Sequence, residues 1–511
     1  MKKNFLLIIA LLLTCSVFAD DFLSDSDFYI QGFNEAEYIY RNTEDSLKHY
    51  FKDSFKFDTN FRKFRFGMEF RAELPKYDSF KPEADLDKGD ANVEWKSRYL
   101  EYETDGFYLR GGTGSAVFGT GMMLHLYNNT DLEEDYRLDG IIAKLSFDKF
   151  FNSEIQAVYG RIKSDKDDFK TEEKSGENER YDVAQGLDYT FKPLSGTEWK
   201  LGASGVLIRK LEADPVADVS DKYVYNRREI LGGKTELTGE IYDFKAEYAE
   251  LHQYDSTDEK FGHAFYANSN LYLGMFTLTG GYKNYKKFND RYADLPTLNY
   301  SEKAIAAYGY YQYPGIDEEG YRGIIRFNPN FENEITADYS EAWSSNDKVK
   351  MSDTHIEYKR EMSAATLTLE YDKVERIDES GVKNYGDNEE SQKISVDTNI
   401  GEMPFLIKAK WKTKDKYYDG HKEYHYEPEF QTDLGIGKFD VSVLFTYNFS
   451  NKNNLTDQTA KIGVEVKTPI KEHSELKVFA GSEKGGIVCR NGVCKNQAPF
   501  EGVRVSITTR F

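Results

Sequence analysis

The 511-residue chain predicts an all-β protein, a large antiparallel transmembrane β-barrel of on the order of 20 to 24 strands. Three observations carry that expectation. The chain is polar overall, with a mean hydropathy of −0.68, yet 15% of it is aromatic, almost all of this Tyr and Phe. Windows of about ten residues alternate strictly between apolar and polar positions, the period of a strand with two different faces. The last such window ends on an aromatic residue, Phe511. Sixty-seven basic against 88 acidic residues leave a net charge of −21. That balance argues against a nucleic-acid binder, which needs basic surface to displace counterions.

The N-terminus reads as an export signal. Met1-Lys2-Lys3 is a short basic start, the apolar run Phe5 to Leu13 follows, and Val17-Phe18-Ala19 supplies small residues at a cleavage site. The expected organisation is a removed segment 1–19 and a single barrel over 20–511. Cys15 raises a lipoprotein signal as a rival, and Thr14 before it fits that poorly.

The alternation is clearest at 64–74, where Phe64, Phe66, Met68, Phe70, Ala72 and Leu74 share one face and Arg65, Gly67, Glu69, Arg71 and Glu73 the other. The window 439–449 repeats it, and weaker copies occur around Ile141 to Phe147, Leu367 to Tyr371 and Ile462 to Val466. Turns are expected between them, Thr468-Pro469 among them. Backbone amides in a bilayer must be satisfied within the protein, so a spanning structure built of strands has to close on itself. A soluble secreted sandwich or propeller is the rival, because it also alternates. In the barrel, Arg65, Glu69, Arg71, Arg504 and Arg510 are candidates for the lumen.

At the C-terminus Val503, Val505, Ile507, Thr509 and Phe511 point one way, and Arg504, Ser506, Thr508 and Arg510 the other. This strand resembles the assembly signal of bacterial outer-membrane barrels. The resemblance implies a partner, the barrel-insertion machinery, and closure of this strand against the first. Just upstream, Asn491-Gly492 is a preferred centre for a two-residue hairpin turn. That turn would bring Cys489 and Cys494 opposite one another, with spacing suited to a disulfide in an oxidising compartment. A zinc site is the rival, and two thiolates without nearby His fall short of four ligands.

Residues 106–140 are rich in glycine: Gly111-Gly112-Thr113-Gly114, then Phe118-Gly119-Thr120-Gly121-Met122. They lack the Gly-Lys-Ser/Thr and Gly-x-Gly-x-x-Gly spacings of nucleotide loops. Two structural readings remain, an insert into the lumen marked by Gly112, Gly114, Gly119 and Gly121, or a further pair of membrane strands. The run from Gly112 through Phe118-Gly119-Thr120-Gly121-Met122, Leu124, Leu126-Tyr127, Leu132, Asp135, Leu138 and Gly140 resembles the core of an uncharacterised family of outer-membrane β-barrels. The tail, Gly485-Gly486-Ile487-Val488-Cys489, Cys494, Pro499-Phe500-Glu501-Gly502-Val503 and Phe511, resembles the same family's C-terminus. Thr120 departs from the pattern, which implies a basic residue between the two glycines. The resemblance implies a fold and a location, and says nothing of activity or cargo.

Catalysis and cofactors find little support. No His-Glu-x-x-His occurs among the eight His, and Gly202-Ala203-Ser204-Gly205 lacks the spacing of a nucleophile elbow. His421 and His425 would share a strand face, a weak metal pair. Acidic stretches such as 165–179, with seven carboxylates against three lysines, read as solvated loops or as bridges to surface glycolipid through divalent cations. Tyr308, Tyr310, Tyr311 and Tyr313 read as an interfacial girdle. The expected function is an outer-membrane channel or substrate-binding transporter of a small solute, embedded in outer-membrane lipid, with no cofactor. The alternative is a scaffold or assembly partner whose lumen is occluded.

Overall fold

The computed structural model describes residues 28–42, 48–74, 92–129, 134–147, 151–163, 180–194, 196–212, 227–254, 259–288, 292–301, 318–344, 349–378, 387–418, 421–451, 457–490, 493–497 and 499–511. Twenty-four strands form one antiparallel sheet in which each strand pairs with its neighbours in sequence. The last, Phe500–Arg510, pairs back onto the first, Phe28–Arg41, in a register running from Phe33 opposite Arg510 to Arg41 opposite Gly502. The sheet is therefore a closed barrel, and the strand number is even, at the top of the expected range.

Period-two patterning and strand boundaries coincide closely. The window 64–74 is the strand Phe64–Leu74, and 439–449 lies in Phe439–Ser450. Thr468-Pro469 is not a turn. Both residues belong to the strand Asp457–Lys471, and the chain reverses at Glu472-His473 instead. Pro469 sits where the register with Ser474–Glu483 shifts, an end-of-strand irregularity that tolerates a residue with no amide hydrogen.

Closure crowds the side chains of the concave face and splays those of the convex one. The crowded face is the polar one: Asp58, Glu101, Asp188, Asp338, Asp353 and Glu465 are all buried on it. The opposite face exposes Tyr159, Leu187, Leu231, Ile325, Trp411 and Ile507. Polar-in and apolar-out is the arrangement a bilayer demands. The two rims differ as well. Connections at one end are short, from Arg62-Lys63 to 192–197, and both barrel termini lie there. The other end carries the longer intervals 75–91, 115–137, 213–226 and 287–317.

At the seam the pairing extends one residue beyond the last strand. The Gly32 amide donates to the Phe511 carbonyl at 2.8 Å, and the Phe511 amide to the Gly32 carbonyl at 3.0 Å. A Cβ at position 32 would lie 2.8 Å from the Phe511 ring, so the glycine is a notch for that ring, which also stacks on Phe55.

Candidate functional site

Two segments from the long-loop end turn onto the concave face. The first follows the strand Phe107–Gly114. It opens with a miniature hairpin in which Ala116–Phe118 pairs with Leu124–Leu126. Its turn needs backbone that L side chains rarely adopt: φ is +64° at Gly119 and +101° at Gly121. The second follows the strand Phe276–Lys286 and is described at Phe288 and over 292–301. The two are stitched together, since the His125 amide donates to the Tyr292 carbonyl at 2.6 Å and the Asp294 amide to the Gly121 carbonyl at 3.0 Å. His125 Nδ1 also lies 3.1 Å from the Asp294 carboxylate.

These segments bury an apolar cluster against the barrel wall. Phe118, Met122, Met123, Leu124, Leu126 and Phe288 are fully buried. They meet the inward side chains of eight successive strands, from Leu138 and Ile142 through Val158, Val206 and Ile230 to Leu251, Ala264 and Tyr285. The wall is cut to receive them. A Cβ on Gly186 would lie 2.7 Å from the Phe118 ring, and one on Gly232 would lie 2.7 Å from the Met123 methyl.

Polar anchors fix this packing. The Thr120 amide donates to Glu247 Oε2 at 2.8 Å. Glu247 is only 1% exposed, and its Oε1 has no hydrogen-bond partner among the described residues. Tyr292 donates to Asp182 at 2.7 Å, Tyr285 to the Pro296 carbonyl at 2.9 Å, and the Ser301 amide to Asp353 at 2.8 Å. Tyr300 stacks on His355 at 3.5 Å. At the base of the first segment Arg137 grips Asp135 through two guanidinium nitrogens at 2.8 and 2.7 Å, and Lys163 adds a contact at 3.3 Å. Burial alone would push the Asp135 carboxyl up, but Arg137 and Lys163 outweigh it and hold the group below the usual carboxylate range.

Much of the rest of the concave face is charged, its lysines partly exposed and several of its carboxylates buried, with small apolar clusters at Met351 and Val374 and at Phe479 and Phe500. Glu370 takes Lys393 at 2.6 Å, Glu389 bridges Lys412 and Lys414 at 2.8 and 2.7 Å, Arg322 pairs with Asp338, and Lys477 lies 3.5 Å from Glu465. The sequence-predicted residues fall on this face without forming one cluster. Arg65 lies 3.3 Å from Asp58, Arg71 pairs with Glu73, and Glu69 approaches Arg137 at 3.7 Å. Arg504 pairs with Glu483 and lies over the rings of Phe479 and Phe500, and Arg510 is exposed at the short-turn rim. Gly112 and Gly114 are part of a barrel strand, and Gly119 and Gly121 form the turn of the first inward segment.

Cys489 and Cys494 are register partners in a small separate hairpin, Gly486–Arg490 with Val493–Gln497, whose turn lies outside the described residues. Ser204 is mid-strand and donates to Asp188, which Lys234 also pairs with. His425 lies 3.8 Å from Glu423. No group of three or more His, Cys, Asp or Glu able to hold a metal occurs among the described residues. The segments 1–19 and 165–179 and Tyr308 to Tyr313 fall outside the described residues. Sequence reasoning missed the second inward segment, the Glu247 anchor and the lysines of 408–414. Only the last has a visible signal, Lys at every second position.

Comparison with known proteins bears on the lineage of this interior. The profile of the Family of unknown function (DUF6029) matches residues 1–308, more than half of the chain. The chain belongs to this family. The match holds both inward segments and every strand of the apolar arc, and it ends before the charged strands from Glu318 onward and before the cysteine hairpin. No curated protein matches the chain significantly. Among solved structures, the P pilus usher (PapC) translocation pore is 11% identical with a TM-score of 0.40, covering 94% of this chain and 99% of that one. The siderophore receptor PirA from Pseudomonas aeruginosa is 10% identical with a TM-score of 0.48, covering 94% and 80%. The ferric-catecholate import receptor Fiu from E. coli K12 is 11% identical with a TM-score of 0.45, covering 96% and 82%. The family's architecture in this chain rests on strand pairing and not on these likenesses.

Proposed function

We propose that this chain is an outer-membrane β-barrel that passes or binds small solutes along the charged arc of its interior. One observation carries the reading. The two inward segments pack onto one arc of the wall, and the opposite arc keeps half-exposed charged side chains facing the lumen. A barrel of 24 strands encloses far more space than wall side chains fill, so constriction by folded-in loops sets the path. Lumen-facing Arg65, Glu69, Arg71 and Arg504 would tune passage, as charged rows do in pores.

The reading includes export by the segment 1–19, a barrel spanning 20–511, and recognition of the strand ending in Phe511 by the insertion machinery. It also includes a Cys489–Cys494 disulfide on the long-loop side. The test is planar-bilayer conductance of the refolded protein after a heat-modifiable gel shift has verified folding. Stable, reproducible steps support passage. A folded but silent barrel favours the second reading, an occluded scaffold, for which the stitching of the two inward segments to each other and to the wall is the supporting observation.

A further inference from the structure

We infer that the interior holds a binding site for anionic solutes, built on Lys408, Lys410, Lys412 and Lys414 with Lys393 beside them. The inference rests on the channel reading for its transport role, but not for binding itself. The strand Met403–Tyr418 reads Lys-Ala-Lys-Trp-Lys-Thr-Lys over 408–414. Ala409 and Trp411 are exposed on the convex face, so the four lysines share the concave one, spaced about 7 Å apart along the strand. Register sets Lys410 directly opposite Lys393 on one side and Glu429 on the other, and Lys408 opposite Ser395 and Gln431.

The neighbouring carboxylates do not neutralise this row evenly. Glu389 is shared by Lys412 and Lys414, Glu370 is taken by Lys393, and Glu427 by Lys484. Lys408 and Lys410 form no ion pair within 4 Å among the described residues, Glu429 included, and Lys410 interacts electrostatically with Asp372, two strands away. Like charges directly opposite one another, as Lys393 and Lys410 are, destabilise a sheet. A row that works against the fold, half-exposed to lumen water and away from the apolar cluster, suits a ligand that supplies the missing negative oxygens. Adjacent amines about 7 Å apart, neither in an ion pair among the described residues, match a solute carrying carboxylate or phosphate groups. The chain's net charge of −21 points the opposite way, toward cations.

The experiment compares the full-length wild type with K408Q/K410Q, with K359Q at the short-turn rim as the control. In an asymmetric KCl gradient the wild type should reverse toward chloride, and added succinate or inorganic phosphate should block its current. K408Q/K410Q should fold with the same gel shift, lose roughly tenfold in blocker potency and move its reversal toward potassium. Preferential block by succinate or by phosphate identifies carboxylate or phosphate as the cognate group. Steady conductance with identical block and reversal in wild type and K408Q/K410Q overturns the site. If no barrel conducts, the channel reading fails, and titration calorimetry with succinate and phosphate on the folded protein decides: heats lost in K408Q/K410Q uphold the site, and no binding by wild type overturns it.

Discussion

The barrel interior divides into two arcs that solve the same problem differently. On the strands from Leu138–Phe147 to Phe276–Lys286 many inward side chains are apolar, with Asp182, Asp188 and Glu247 among them, and two folded-in segments cover them until Phe118, Met122 and Leu124 have no exposure at all. From Val349–Glu361 to Ser474–Glu483 the inward side chains are mostly polar, with partly exposed lysines paired to carboxylates across strands and a small apolar cluster at Met351 and Val374. Burial holds the first arc, at about 25 cal/mol per Å² of apolar surface. Half-exposed ion pairs contribute little to the second, typically below about 1 kcal/mol each. The covered arc is thus held by apolar burial and the charged arc by polar pairing, and substitutions in the two should separate cleanly.

The largest expected effect is in the covered arc. Phe118→Ala removes the ring that fills the Gly186 notch and should weaken docking of the first segment by about 3–5 kcal/mol. The barrel should keep its heat-modifiable gel shift while protease cleavage near residue 120 and single-channel conductance both rise. Unchanged cleavage would mean that the segment is held by its polar anchors instead.

Asp135→Asn comes next, at about 3 kcal/mol for breaking a buried ion pair. Its folded pKa is depressed, so its contribution is complete above the usual carboxylate range and is lost as pH falls through the lower folded value. Thermal midpoints of wild type and Asp135→Asn should therefore differ at neutral pH and converge in acid. A difference that persists at low pH would assign the effect to packing.

Much of this was legible in the sequence, for physical reasons that also explain the gaps. A strand with two solvents writes its period into the residues, so Phe64–Leu74 and Phe439–Ser450 could be read directly. Pro469 misled because proline signals a turn in isolation, whereas at a strand end beside a register shift its missing amide is harmless. The glycines of 112–121 marked an unusual segment, but two are strand positions and two are turn positions, and only long-range packing on Gly186 and Gly232 distinguishes them. Glu247 carries no local signal: its importance depends on Thr120, 127 residues away. The lysine row is legible as Lys at every second position over 408–414, although the net charge of −21 points the other way.

Glu247 provides the third test. Glu247→Gln keeps an acceptor for the Thr120 amide and should leave protease resistance nearly unchanged, while Glu247→Leu strands that amide at about 1–3 kcal/mol. Hydrogen exchange around residue 120 should speed up in the Leu variant alone. Equal exchange in both would remove Glu247 from the anchors.

The smallest stability effect belongs to the charged arc and carries the most functional information. Glu370→Gln breaks the 2.6 Å pair with Lys393, whose side chain is 29% exposed, and should lower stability by less than about 1 kcal/mol. Lys393 is then left facing Lys410 with no ion pair of its own among the described residues, so the repulsion across that pair rises and the positive row widens by one column. Block by succinate or phosphate should strengthen as stability falls, the opposite of Lys408→Gln, which should weaken block with no loss of stability because it removes no ion pair. A covered-arc variant cannot produce this inversion, since losing a wall contact loosens the inward segments without adding charge. If Glu370→Gln weakens block, the carboxylate itself contacts the solute, and the binding surface is the paired column of acids and bases instead of the lysines.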